Sequence, residues 1–285
     1  MRPRLAWLQR PVTAVRRPSR WRPLRATWAV AFALCGMAGA VTGAAAVEPA
    51  SACTKPLYLT FDTGHMGVAD HIAEVLHRQQ VRVTFFAAQE PTRVGDGSLG
   101  SHWAPWWRAR AAEGHAFASH TYDHVYWVRD EGPGHWRMRP SAGPNKGQLS
   151  VWDAPRYCAE IRRASERLAE LTGVAPLPLY RAPGGKTSPS LVKAARECGF
   201  QHIGWAPAGF LGDELPSDRY PNARLLQTAL RDIRAGDILM AHLGIHSRQD
   251  PWAPAVLEPL IEGLKAKGFC FATLREHPQY AAWTR

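Results

Sequence analysis

The chain has 285 residues, room for one large domain or two small ones, and its 46% hydrophobic and 21% charged content marks an ordinary globular chain, neither disordered nor a coiled coil. The formal charge is +11, but eight of the 35 basic residues lie between Arg2 and Arg25. Glu48 is the only acid before Cys53, which leaves 27 bases against 23 acids from Cys53 onward. The basic character therefore belongs mainly to the first residues, and nucleic-acid binding loses its main argument.

The arginines are followed by a charge-free apolar run over 28–47 and then by small residues. This is the three-part pattern of a secretory signal peptide. It predicts a leader over 1–52, a domain over 53–285, and an exported protein, periplasmic or secreted. Ala44-Ala45-Ala46 and Ala50-Ser51-Ala52 are the candidate cleavage sites. The run is long enough to serve as an anchor if it is left uncut, the one route by which a membrane would be a partner. Cys35 leaves with the leader. Cys53, Cys158, Cys198 and Cys270 remain, an even number suited to an oxidising compartment, with three possible pairings. The absence of C-x-x-C argues against a zinc ribbon or a thioredoxin-like redox site.

From Cys53 on, short apolar runs alternate with helical patterns. Residues 57–61 read as a buried strand and 68–80 as a helix carrying Ile72, Val75 and Leu76 on one side. The β-branched and aromatic run 81–86 is the next strand. Further strands are predicted at 116–118, 178–180, 202–205, 238–240 and 270–272. Helices are predicted at 159–171, 189–198, 223–233 and 256–267, with Gly199 and Gly268 placed as stop signals. Alternation of this kind predicts a parallel sheet closed into a barrel. Two stretches rich in Gly, Pro and Trp, 89–107 and 125–152, read as irregular loops that would wall a site.

Rare polar residues fall at the ends of these strands. Asp62 follows the first, His120 the third, Arg181 the fourth, and His242 lies two residues beyond Met240. In a parallel barrel all the C-terminal strand ends open on one face. His120 and His124, four residues apart, would share one face of a helical turn and could reach one metal ion. Thr121, where Glu would be needed, excludes the metalloprotease pattern. Tyr180, where Gly would be needed, excludes a phosphate-binding loop ending at Gly185-Lys186-Thr187.

Taken in order, these residues resemble the polysaccharide deacetylase family. Thr60-Phe61-Asp62-Thr63-Gly64 is similar to its first motif, T-F-D-D-G, and His120-Thr121-Tyr122-Asp123-His124 to its second, H-[ST]-x-x-H. Arg181-Ala182-Pro183-Gly184-Gly185 is similar to the third, R-x-P-x-G. The stretch from Gly204-Trp205 to Asp213 loosely resembles the fourth, and Ile238-Leu239-Met240-Ala241-His242 resembles the fifth. The resemblance implies a distorted (β/α) barrel with about seven parallel strands. It also implies a divalent metal, zinc, held by His120 and His124. Asp62 would be the general base, oriented and kept ionised by Arg181, and His242 the general acid, its ring held by Asp213.

One departure bears on the metal. The family's third ligand is the second Asp of the first motif, and here that position is Thr63, a neutral and poor zinc ligand. Deacetylases that form δ-lactams on muramic residues look similar in carrying Asn there. His65 could supply a nitrogen instead, or catalysis could have been lost and glycan binding kept. Because Asp62, Arg181 and His242 are all present, the sequence is read as an exported metal-dependent hydrolase. Its substrate would be a carbohydrate polymer, with N-acetyl groups removed from peptidoglycan, a chitin-like glycan or an exopolysaccharide. The alternatives are an inactive glycan-binding envelope protein and a hydrolase of another C–N or ester bond. Trp103, Trp106, Trp107, Trp127, Trp136 and Trp152 lie in or beside the two loops, and an aromatic rim would suit sugar faces.

Overall fold

Strand β1 (Pro56–Asp62) opens an alternation that runs through α1 (Ala69–Arg78), β2 (Thr84–Ala87), α2 (Ala104–Ala112) and β3 (Ala116–Ser119). An antiparallel excursion follows, β4 (Val125–Gly132), β5 (His135–Pro140) and β6 (Ser150–Asp153). The alternation then resumes with α3 (Ala154–Thr172), β7 (Leu179–Tyr180), α4 (Pro189–Glu197), β8 (Gln201–His202), α5 (Asn222–Asp232), β9 (Ile238–His242), α6 (Trp252–Ala266) and β10 (Cys270–Phe271). The structure, a computed structural model, describes residues 53–245 and 247–284. The leader, with Cys35 and the cleavage sites, lies outside the described residues.

Seven parallel strands form the main sheet. β1 is central, with β9 on one side and β2 on the other, both paired to Thr60–Asp62, and β10 adds to its first residues. β3, β7 and β8 follow β2 in order. Beyond β8 the chain turns along β9. Ala206 N–H donates to the Ile238 carbonyl at 3.0 Å and Leu211 N–H to that of Met240 at 3.2 Å, while Phe210 bridges Met240. The sheet is thus curled into a distorted (β/α) barrel, as expected. Leu57, Leu59 and Phe61 of β1 pack with Ile72, Val75 and Leu76 of α1 and with Val256, Leu260 and Leu264 of α6. Each such side chain contributes about 1.5–3 kcal/mol by leaving water.

The helix signals hold. Asp153 caps α3 by accepting from Arg156 N–H, and Ser188 caps α4 by accepting from Leu191 N–H. Gly199 and Gly268 adopt φ of 92° and 80° just past α4 and α6. β2 starts later than predicted because Val83 N–H donates to His115 Nδ1, a side chain, rather than to a neighbouring strand. The stretch 125–152 is not irregular. It forms the antiparallel sheet β4-β5-β6, whose β5 buries Trp136, Met138 and Pro140 alternately. Trp136, Met138 and Trp152 pack on Tyr157 and Ile161 of α3 and Leu191 of α4. The expected aromatic rim is corrected accordingly. Trp103, Trp106, Trp107, Trp136 and Trp152 are core residues, and Trp127 alone of the six stays half-buried.

The cysteines pair as Cys53–Cys270 and Cys158–Cys198. The first ties the approach to β1 onto β10, and the second ties α3 to the end of α4. Among the described residues no helix is long and apolar enough to cross a membrane.

Candidate active site

Parallel register brings the strand-end residues together. Asp62, the last residue of β1, stands opposite Phe86 on one side and His242 on the other. Ser119 and Tyr180, which precede His120 and Arg181, are likewise register partners. A cavity of about 370 Å³ opens over these ends, its wall including Asp62, Glu90, His120, His124, Tyr126 and His242. Arg181 and Asp213 sit behind that wall, both buried.

Arg181 fixes Asp62. Its Nη1 donates to Asp62 Oδ1 at 2.6 Å and to Thr60 Oγ1 at 2.9 Å, while Nη2 donates to the Gly204 carbonyl at 3.2 Å. The guanidinium carbon lies 4.1 Å from the Phe86 ring centre. Burial pushes the Asp62 carboxyl up, but Arg181, His120 and His242 together outweigh it and hold the pKa below its ordinary value. Asp62 is therefore ionised, with Oδ1 occupied and Oδ2 facing His120 Nε2 at 3.6 Å.

Asp213 does the same for His242. Its Oδ2 accepts the His242 backbone N–H at 2.7 Å, and both oxygens lie 3.1 Å from Nδ1. Burial lowers the imidazole pKa, but the charge and hydrogen bond of Asp213, aided by Asp62, raise it to about 10. His242 is therefore an imidazolium at neutral pH, and with Nδ1 on Asp213 its other N–H is left for the cavity it lines.

His120 and His124 do not share a helical turn, contrary to expectation. β3 ends at Ser119 and β4 begins at Val125, so the intervening residues must fold as a tight turn. Left-handed φ at Thr121 (60°) and His124 (47°) provides it. Thr121 Oγ1 accepts from Val125 N–H at 2.8 Å and locks the turn. The two rings still come together, their centroids 4.8 Å apart. The His120 Nδ1 lies 2.9 Å from the Arg181 carbonyl, which can only accept, so the proton is on Nδ1 and the lone pair on Nε2. Ser141 Oγ spends its proton on the His124 carbonyl at 3.1 Å, so it accepts from His124 Nδ1–H, and Nε2 is left for the cavity. Burial pushes His120 down to about 4, which keeps it neutral.

Sequence reasoning passed over Glu90 and Ser141. Glu90 lies just beyond the end of β2, and the same strand-end rule that singled out Asp62 and His120 would have found it. Its Oε2 accepts from Thr63 Oγ1 and from Gly64 N–H, both at 2.6 Å, and its Oε1 lies 4.0 Å from His124 Nε2. Burial raises the Glu90 pKa, but His124, the Thr63 hydroxyl, His120 and the Gly64 amide bring it below the ordinary value. Gly64 has φ 92°, and a Cβ there would stand 2.1 Å from the Gly244 carbonyl oxygen, so only glycine presents this amide. His65 does not line the cavity. Its Nδ1 accepts from Gly67 N–H at 2.9 Å, and the ring lines a neighbouring, smaller cavity.

Among the described residues no three or more His, Cys, Asp or Glu are already drawn together as a metal cage. The donor chemistry nevertheless fits a divalent cation. Two imidazoles, each held by a hydrogen bond at Nδ1, keep Nε2 for the cavity, and ionised carboxylates stand beside them.

Comparison with known proteins identifies the family and the fold. Residues 50–203 match the family described as polysaccharide deacetylase. A chitooligosaccharide deacetylase from Azorhizobium caulinodans is 24% identical over 76% of this chain and 92% of its own length. A family 4 acetyl xylan esterase from Clostridium thermocellum, solved with a cobalt ion, superposes with a TM-score of 0.60 at 19% identity. That superposition covers 80% of this chain and 91% of the esterase. A family 4 carbohydrate esterase pseudoenzyme from Bacillus anthracis has the same fold, with a TM-score of 0.57 at 17% identity over 78% of this chain and 65% of its own.

Proposed function

Because this chain belongs to the polysaccharide deacetylase family, and is thereby a carbohydrate deacetylase, we propose that it is an exported, metal-dependent hydrolase that removes N-acetyl groups from an amino-sugar polymer. The observation that carries the reading is the pair of opposite charges on neighbouring strands: an ionised Asp62 in register with a protonated His242 at one cavity. Amide hydrolysis needs both, a base to take a proton from water and an acid to give one to the departing nitrogen.

Asp62 Oδ2 is the oxygen left to accept the proton of the attacking water, since Arg181 holds Oδ1. Arg181 also prevents the carboxylate from rotating away or becoming protonated. As water adds to the acetamide carbon and the C–N bond breaks, His242 Nε2–H protonates the amine, and acetate and a free amino sugar leave. Asp213 keeps the imidazolium charged and its ring aimed. A divalent ion held by His120 and His124 would supply Lewis-acid polarisation of the carbonyl and of the water. Tyr126 and Trp205 give the cavity wall its aromatic character in place of the buried tryptophans. The leader pattern over 1–52 and two disulfides support export.

Thr63 favours a second reading, a glycan-binding protein without catalysis, and the Bacillus anthracis protein is a pseudoenzyme of this fold. One experiment separates the two. Acetate release is measured from a peptidoglycan digest, a chitooligomer and an O-acetylated xylan, with zinc or chelator, for wild type and Asp62→Asn. Metal-dependent release from an N-acetylated glycan, lowered at least about 1,000-fold in Asp62→Asn, is expected; removal of a principal catalytic group costs on that order or more. Retention of glycan with no acetate from any substrate would establish the binding protein, and release from xylan alone would reassign the bond.

A further inference from the structure

Resting on the metal-dependent reading above, we propose that Glu90 is the third protein ligand to the divalent ion, in place of the carboxylate missing at position 63, and that Thr63 is the positioning residue that aims it. The site would then be His120, His124 and Glu90, its carboxylate supplied by the segment after β2 rather than by the end of β1.

Four observations converge on this. His120 Nε2, His124 Nε2 and the carboxylates of Asp62 and Glu90 face one cavity, a set of nitrogen and oxygen donors suited to a divalent cation. Two ligand bonds of about 2.0–2.2 Å span at most about 4.4 Å between donor atoms, so the 4.0 Å from His124 Nε2 to Glu90 Oε1 is within the reach of one ion. Glu90 Oε2 is taken by the Thr63 hydroxyl and the Gly64 amide, which leaves Oε1 as the ligating oxygen and fixes the carboxylate plane.

The backbone that carries Glu90 is also held before any ion arrives. Ser98 Oγ accepts from Glu90 N–H at 2.9 Å, Ser98 N–H returns a bond to the Glu90 carbonyl at 3.0 Å, and Gln89 N–H donates to the Tyr122 carbonyl at 2.7 Å. Thr63 Oγ1 accepts from Ala88 N–H at 3.1 Å, which turns its own proton toward Glu90. Thr63 is therefore more than a lost ligand. Its hydroxyl does for Glu90 what a second carboxylate at that position could not, because two anions there would repel.

The test is zinc affinity, read without substrate. The full-length protein is stripped with chelator and titrated with zinc against a chromophoric competitor, and its melting temperature is followed with and without zinc. Wild type should bind one zinc per chain. Glu90→Gln should bind at least about tenfold more weakly, since even the outer partners of metal ligands are worth 10–100-fold, and its zinc-dependent rise in melting temperature should shrink accordingly. The double variant Thr63→Asp/Glu90→Gln should recover affinity by returning a carboxylate to β1. Melting without zinc shows whether Gln harms the fold; if it does, recovery in the double variant decides. Unchanged affinity in a folded Glu90→Gln, no recovery in the double variant, or no zinc bound by wild type would each overturn the assignment. Acetate release is scored separately, so activity that persists without Glu90 would refute the ligand and leave the deacetylase standing.

Discussion

Two ionisable side chains on adjacent strands are kept in opposite charge states by what stands behind them. Arg181 behind Asp62 holds a buried carboxylate negative, and Asp213 behind His242 holds a buried imidazole positive to about 10. The consequence for rate against pH has a definite sign. His242 can donate a proton only below its pKa, so the alkaline limb of the wild-type profile should fall through about pH 10. In Asp213→Asn the main raising influence is gone while burial, which lowers the pKa, remains. The limb should therefore move down by at least about one pH unit, a differential interaction of roughly 1.4 kcal/mol. A profile measured on the variant with an unmoved limb would remove His242 as the proton donor. At this scale the sequence was legible where a polar residue ends a strand: Asp62, His120, Arg181 and His242 all stand at one cavity or directly behind its wall. Glu90 was passed over because it lies in a stretch read as loop, and Ser141 because a serine after a strand carries no local signal for the histidine it meets.

Elements set how these side chains can be used. The His120–His124 spacing suggested a helical turn, yet strands on both sides leave no room for one, and a left-handed turn brings the rings together instead. Spacing alone does not distinguish the two, because both place residues four apart on one side. The sheet β4-β5-β6 leads into and out of this turn region, since β4 starts beside His124 and Ser141 follows β5. Its alternation was masked by the Gly and Pro of the Pro133-Gly134 connection and by neighbouring tryptophans. Trp136, fully buried on β5 with Nε1 donating to Ser190 Oγ at 2.8 Å, anchors that sheet to α3 and α4. Trp136→Ala should cost about 3–5 kcal/mol in urea unfolding, whereas Val151→Thr on the exposed face of β6 should stay within about 0.5 kcal/mol. Equal effects would mean that the sheet is not held through its inner face.

At the scale of the whole molecule, the barrel was the most legible feature, because period and punctuation repeat along the chain and each repetition votes for the same architecture. β7, β8 and β10 are only two residues long, and their bounds were accordingly the least well marked. The cysteine pairing was not legible at all, since it depends on which ends the completed sheet brings together. Cys158→Ser/Cys198→Ser should lose about 2–4 kcal/mol of unfolding free energy, and reductant, which also opens Cys53–Cys270 in both proteins, should bring wild type and variant to a similar, lower value. No loss would show that α3 and α4 hold each other by packing alone.

The Cys53–Cys270 bond has a consequence of another kind. It turns most of the polypeptide into a closed loop of covalent bonds, 217 positions around. A loop cut once is still one piece. A protease that nicks the exposed tip between β4 and β5, or any other single peptide bond between the two cysteines, would release no fragment: the clipped protein would migrate as an intact molecule until a reductant opened the remaining link. In surroundings rich in peptidases and poor in thiols, one scission would leave both halves of the barrel, and every residue of its cavity, tethered together.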